Sequence, residues 1–170
     1  NKKVRVILAF NSPSDELSEK KKKLITGKTE IYDGSYISNN IGKLIYEADI
    51  IIDAVFGIGF KGTLPENIKK MFGIADKSSA VKIAIDIPSG LSVNTENTEN
   101  CFKADETLSM LCFKYEHIYK PYSSCCGKVS VIPIGFSVIS NGIQDKAEVV
   151  WDDITLQDEV ELSKAALYRA

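Results

Sequence analysis

The chain has 170 residues, 44% hydrophobic and 26% charged, with 21 Lys and Arg against 23 Asp and Glu and a formal net charge of −2. That size and composition suit one globular domain with one core, and exclude a disordered tail or fibrous repeat, because enough apolar side chain is present to offset the entropy of ordering. The near-neutral charge excludes an electrostatic nucleic-acid binder, and Asp53, Asp86 and glycines break every apolar run before it reaches the roughly 20 residues of a membrane span.

Residues 4–10 (VRVILAF) are a short β-branched apolar run, the pattern of a strand buried on both faces. Ser12 as cap, Pro13 at the first helical position and Asp15 in the first turn then predict a helix ending near Gly27. Its second half holds the Lys20 to Lys23 run, where cations suit the helix dipole. A short strand at 30–32 and the Asp33-Gly34-Ser35 turn lead to a second short helix with Ile41, Leu44 and Ile45 on one face. Residues 49–56 (DIIIDAVF) predict a buried strand, 57–62 a glycine-rich loop, and Pro65 the start of a helix striped by Ile68, Met71, Phe72 and Ile74. Residues 81–87 predict the next buried strand, broken by Pro88-Ser89-Gly90, and 92–100 a polar loop.

Strands near 107–113 and 128–134 follow with no helical pattern between them, which suggests an edge extension with antiparallel pairing open. The βα alternation through residue 90 predicts an α/β fold: a doubly wound, mostly parallel, Rossmann-like sheet in three αβα layers. Residues 1–150 form the domain, and 151–170 read as an acidic tail or linker in which Leu156, Val160 and Leu167 recur at helical spacing.

Four cysteines fit no disulfide framework: Cys101 and Cys112 are isolated, and Cys125 and Cys126 are adjacent. Free thiols in a reducing cytoplasm are the expectation. His117 is the only histidine, which leaves too few well-spaced ligands for zinc, and with no nucleophile pattern near it a Ser/Cys–His hydrolase is not expected. It reads as a loop residue.

Three features could carry chemistry. Gly57-Ile58-Gly59-Phe60-Lys61-Gly62, followed by Thr63, fits G-x-G-x-x-G between a predicted strand and a predicted helix. There glycines let a backbone approach a phosphate and a helix start supplies N–H groups. A glycine-rich turn without a ligand remains the alternative. Asp53 lies inside a buried strand, where a carboxylate is costly unless paired or coordinated. Asp86 ends the next strand with Ser89 three residues on, at the sheet edge where open α/β folds bind ligands. Two acids and a hydroxyl there could hold a hard cation, or divide into a cation ligand and a proton-transfer group. In a nicotinamide dehydrogenase, by contrast, Asp86 would bind ribose hydroxyls, about 20 residues beyond the glycines.

Residues 51–60 (IIDAVFGIGF) and 84–91 (AIDIPSGL) resemble the two central motifs of the NAD(P)H-hydrate epimerases, the YjeF N-terminal domain family. Ala104-Asp105-Glu106-Thr107, Phe113-Lys114 and Gly127-Lys128-Val129 resemble its later strands and its lysine. The resemblance implies epimerisation of the R and S forms of hydrated NADH and NADPH (NAD(P)HX), with one potassium ion (K+) per site. Carried over by motif, Asp53 and Ser89 would bind the metal, Gly57, Ile58, Gly59, Phe60, Lys61, Gly62 and Thr63 the dinucleotide, and Asp86 the dinucleotide as general acid/base.

The implied partner is a small dinucleotide, with no nucleic acid and no membrane. A second copy of the chain and a covalently fused ADP- or ATP-dependent dehydratase are left open, as are an NAD(P)-dependent oxidoreductase and a non-catalytic nucleotide-binding module. The family's Asn/Gly-rich N-N-G-G-D-G loop and the strand before it have no counterpart here. Ser92 stands where an aspartate is common, and Lys114 is followed by Tyr115 and Glu116 rather than glycine.

Overall fold

A computed structural model describes residues 3–10, 29–92 and 98–133. The expected helix after Ser12 and the acidic tail lie outside the described residues. In chain order the elements are β1 (Arg5–Leu8), β2 (Glu30–Asp33), α1 (Asn39–Tyr46), β3 (Ile50–Asp53), α2 (Glu66–Ala75), β4 (Val81–Ile85), β5 (Glu106–Met110), α3 (Tyr115–Ile118), a 3-10 turn (Tyr122–Cys125) and β6 (Lys128–Ile132).

The strands form two parallel sheets, β1-β2 and β3-β4-β5-β6, and the fold is α/β and Rossmann-like. The β5–β6 pair is parallel, which corrects the antiparallel option. α3 and the 3-10 turn fill the crossover, each too short to leave a helical period in the sequence, yet together long enough to carry the chain back. β3 is also shorter than its apolar run, and not buried on both faces. Ile50 and Ile52 point outward, 48% and 61% exposed, while Asp53 points in, as the two-residue period of a strand requires.

Ser38 caps α1 by accepting the Ile41 N–H at 3.3 Å, and Ile41 and Ile45 face inward. α2 starts after Pro65 and buries Ile68, Met71, Phe72 and Ala75, a 3.6-residue stripe. These residues join Leu64, Ala84 and Phe102 in the main core, with the Phe72 and Phe102 rings edge to face at 5.2 Å. A second cluster joins Ile87, Leu91, Cys101, Tyr122, Cys125 and Cys126. All four cysteines are free thiols.

A side chain of α2 ties down the β1-β2 sheet. Asn67, in the first turn of α2, donates its Nδ2 to the Ala9 carbonyl at 3.1 Å and the Gly34 carbonyl at 2.9 Å, beyond the ends of β1 and β2.

Candidate active site

Asp53 closes β3 and Asp86 follows β4, its neighbour in parallel register. Both acids therefore reach the carboxyl edge of the sheet, where ligands bind open α/β folds. The Pro88-Ser89-Gly90 turn folds back over that edge. Gly90 adopts φ +95°, and a Cβ there would lie 2.6 Å from Leu64 Cδ1. Conformation and space both demand glycine.

The turn delivers Ser89 onto Asp53. The Ser89 amide donates to Asp53 Oδ2 and its hydroxyl to Oδ1, each at 2.7 Å. The Val55 amide adds a bond to Oδ1 at 3.2 Å, and Ser89 Oγ accepts the Phe56 N–H at 2.8 Å. Asp53 is 3% and Ser89 1% exposed. Burial raises the Asp53 pKa above the ordinary carboxylate value, although the bonds from Ser89 and Val55 oppose it. No ion pair involves Asp53 among the described residues, so dipoles alone hold its carboxyl group. The donors are all oxygen, as hard cations prefer. No group of three or more His, Cys, Asp or Glu side chains able to hold a metal occurs among the described residues, so further ligands would be carbonyls or water.

Asp86 is held differently. Its φ is +70°, a left-handed conformation that costs a non-glycine residue roughly 1–2 kcal/mol and accumulates at functional sites. Its amide donates to the Leu108 carbonyl at 2.9 Å. Lys114 Nζ donates to its Oδ1 at 2.5 Å, to Ser109 Oγ at 3.0 Å and to the Met110 carbonyl at 2.6 Å. The Asp86–Lys114 ion pair is largely buried and bridges the ends of β4 and β5.

The glycine-rich loop reaches the same place. A Cβ on Gly57 would lie 3.4 Å from Asp86 Oδ2, so the loop backbone passes directly against the oxygen of Asp86 that has no hydrogen-bond partner among the described residues. Gly62 turns the chain at φ +98°. A cavity of about 710 Å³ opens between them, lined by the Val55–Lys61 run, Thr63, Pro65, Asp86 and Phe10. Phe10, Phe56 and Phe60 form an aromatic wall, with ring centroids 5.6 and 4.5 Å apart. α2 begins at Glu66 rather than directly at the loop, so Thr63, Leu64 and Pro65 separate the glycines from the helix start.

Asp86, residues 57–61 and Thr63 thus line one cavity, whereas Asp53 and Ser89 are bonded to each other and to the backbone of Val55 and Phe56, and neither they nor Gly62 line it. His117 corrects the sequence reading. It lies in α3, 7% exposed, with Nδ1 accepting the Lys114 N–H at 3.0 Å and Nε2 2.8 Å from the Asp86 carbonyl. Burial lowers its pKa to about 4 against the partly opposing Asp86 hydrogen bond. A lone histidine carries no spacing signal, and its partner is 31 residues away. Lys114 was visible only through the family resemblance.

Fold and site together define an α/β domain with a crevice at the carboxyl edge of a parallel sheet. A family model described as YjeF-related protein N-terminus matches residues 1–115, and the chain belongs to that family. It is similar to an NAD(P)H-hydrate epimerase of Elusimicrobium minutum, 38% identical over 113 residues, which are 62% of this chain and 46% of the relative. It is also similar to the bifunctional NAD(P)H-hydrate repair enzyme Nnr of Archaeoglobus fulgidus, 36% identical over 93 residues, 52% of this chain and 19% of that protein. An NAD(P)H-hydrate epimerase of Rhodopirellula baltica is 36% identical over 88 residues, 51% of this chain and 36% of the relative. The chain spans less than half the length of each.

Proposed function

We propose that the protein carrying this chain interconverts the R and S epimers of hydrated NADH and NADPH, with Asp86 as its general acid/base. The observation that carries the reading is the approach of Gly57 to Asp86 Oδ2, which has no hydrogen-bond partner among the described residues, at the wall of the cavity. A carboxylate and a backbone suited to phosphate approach then face one bound dinucleotide. Family membership and the names of the similar proteins support the same chemistry. C6 of the hydrated nicotinamide carries a hydroxyl beside the ring nitrogen. Inverting it requires the C6–O bond to break and water to return to the other face. A proton must reach the departing oxygen and be taken from the incoming one, and one carboxyl group can serve both steps in turn.

Residues 57–63 would hold the phosphates and ribose, and the aromatic wall would pack against a ring. Asp53 and Ser89 would hold a potassium ion, which when bound supplies positive charge to the buried carboxylate beneath the dinucleotide. A dehydratase, fused or separate, would consume one epimer, a pairing that the bifunctional relatives suggest. The oxidoreductase reading is weaker because Asp86 Oδ1 is already engaged by Lys114 and by the Met110 amide, whereas a ribose-binding acid needs its oxygens free for the sugar hydroxyls.

The test starts from a single purified epimer and follows the approach to the R/S equilibrium by chromatography. The protein carrying this chain should accelerate that approach, and Asp86→Ala should abolish the acceleration while cooperative unfolding persists. A ratio that drifts no faster than in buffer would refute the activity. Full activity in Asp86→Ala would refute the role of Asp86. Replacing potassium by lithium should slow wild type more than Asp53→Asn.

A further inference from the structure

His117 closes a ring of hydrogen bonds around the Asp86–Lys114 pair. Its Nε2 meets the Asp86 carbonyl at 2.8 Å, its Nδ1 takes the Lys114 amide hydrogen at 3.0 Å, and Lys114 Nζ returns to Asp86 Oδ1 at 2.5 Å. The partners fix its chemical state. A backbone amide can only donate and a carbonyl can only accept, so the ring must be neutral, with its hydrogen on Nε2. Burial favours the same neutral form. The ring is seated on α3, its own amide bonded to the Lys114 carbonyl at 3.1 Å and its edge set against Phe113 at 6.1 Å. The Asp86 backbone it meets is the strained one, at φ +70°.

We propose that His117 is a positioning residue of the epimerisation site, clamping the Asp86 carbonyl and the Lys114 amide so that carboxylate and ammonium keep their mutual orientation and Oδ2 faces the cavity. This rests on the assignment of Asp86 above. The physical reason is that nothing else spans both groups. The Leu108 carbonyl holds the Asp86 amide, Lys114 and Met110 hold Oδ1, but only His117 ties the Asp86 carbonyl to α3 among the described residues. Without that tie the left-handed turn can relax and swing the carboxylate away from Gly57.

Two near-isosteres separate the ring's two bonds. Glutamine can donate from a position close to Nε2 and keep the Asp86 bond, whereas asparagine can accept near Nδ1 and keep only the Lys114 bond. In the protein carrying this chain, His117→Asn should lower kcat about 10- to 100-fold with KM for the hydrated dinucleotide moved less than about threefold, as expected when a reacting group is misplaced. His117→Gln should recover most of that loss. Crystal structures should show Asp86 at positive φ with glutamine and relaxed with asparagine.

The proposal is overturned if His117→Asn keeps wild-type kcat while Asp86→Asn is inactive, or if Asp86 and Lys114 stay in place in its crystal structure. If Asp86→Asn is itself fully active, the assignment of Asp86 fails instead, and the variant structures decide what His117 holds. Nitrogen-15 shifts of the wild-type ring provide a test that needs no variant: a hydrogen on Nδ1 would refute the clamp.

Discussion

Replacing Ser89 by alanine removes one oxygen and disturbs two groups. Asp53 Oδ1 loses its 2.7 Å bond and keeps only the 3.2 Å bond from Val55, and the Phe56 amide loses its 2.8 Å acceptor. A hydrogen bond to a charged group contributes about 1.5–3 kcal/mol, and an orphaned buried donor costs about 1–3 kcal/mol. Partial relaxation of the loop after β3 offsets some of this, so a loss of about 3 kcal/mol is expected. At roughly 2–4 °C per kcal/mol for a domain of this size, Tm should fall by about 6–12 °C. Urea unfolding followed by far-UV circular dichroism measures the loss. A double-mutant cycle with Asp53→Asn should return a coupling of at least about 1 kcal/mol, since the two side chains are in contact. A loss below about 0.5 kcal/mol with no coupling would refute the reasoning, because Asp53 would then be satisfied without Ser89.

Other outcomes follow from burial. The His117 pKa lies near 4 in the folded chain against 6.5 ordinarily, so between those values the unfolded state binds more protons and stability rises with pH. About 2–3 kcal/mol should be lost on acidification from pH 6.5 to 4, and His117→Gln should flatten that part of the curve, as measured by chemical denaturation at successive pH values. Cys112 is half-buried while Cys101, Cys125 and Cys126 are buried. Iodoacetamide should therefore modify Cys112 first, with the others reacting only on unfolding, even though the Cys101 hydrogen bond lowers the Cys125 pKa to about 7. Peptide mass mapping reads the order, and equal rates at Cys125 and Cys112 would contradict the burial. The same experiment should leave Cys101 and Cys126 the slowest thiols, because the Cys125 hydrogen bond raises the Cys101 pKa, burial raises that of Cys126 to about 12, and only the thiolate attacks.

How much of this was legible in the sequence depends on the range of the interaction. β3 and β4 announce themselves because their apolar runs are local, and an aspartate inside such a run is conspicuous because burial makes it costly. The Ser89 turn was visible through proline and glycine. The direction of β6 was not, because α3 is a single turn and leaves no period to read. The exposure of Ile52 could not be read either, since a run of isoleucines looks the same whether one face or both are covered. His117 is the extreme case. Its bonds run to backbone atoms, one of them 31 residues away, and backbone partners leave no trace in residue identity.

The Asn67 tether has a consequence for motion. A two-stranded sheet is marginal by itself in water, so β1 and β2 owe their persistence to what they lean on, and among the described residues a single carboxamide makes both hydrogen bonds from α2 to their ends. In native-state hydrogen exchange the pair should therefore open as a unit ahead of β4 and β5, at a free energy well below that of global unfolding. Phe10 follows β1 and leans on Phe56 at the cavity, so each opening of that unit would also breach one wall of the crevice. How often the crevice is breached would then be set by a residue that does not line it.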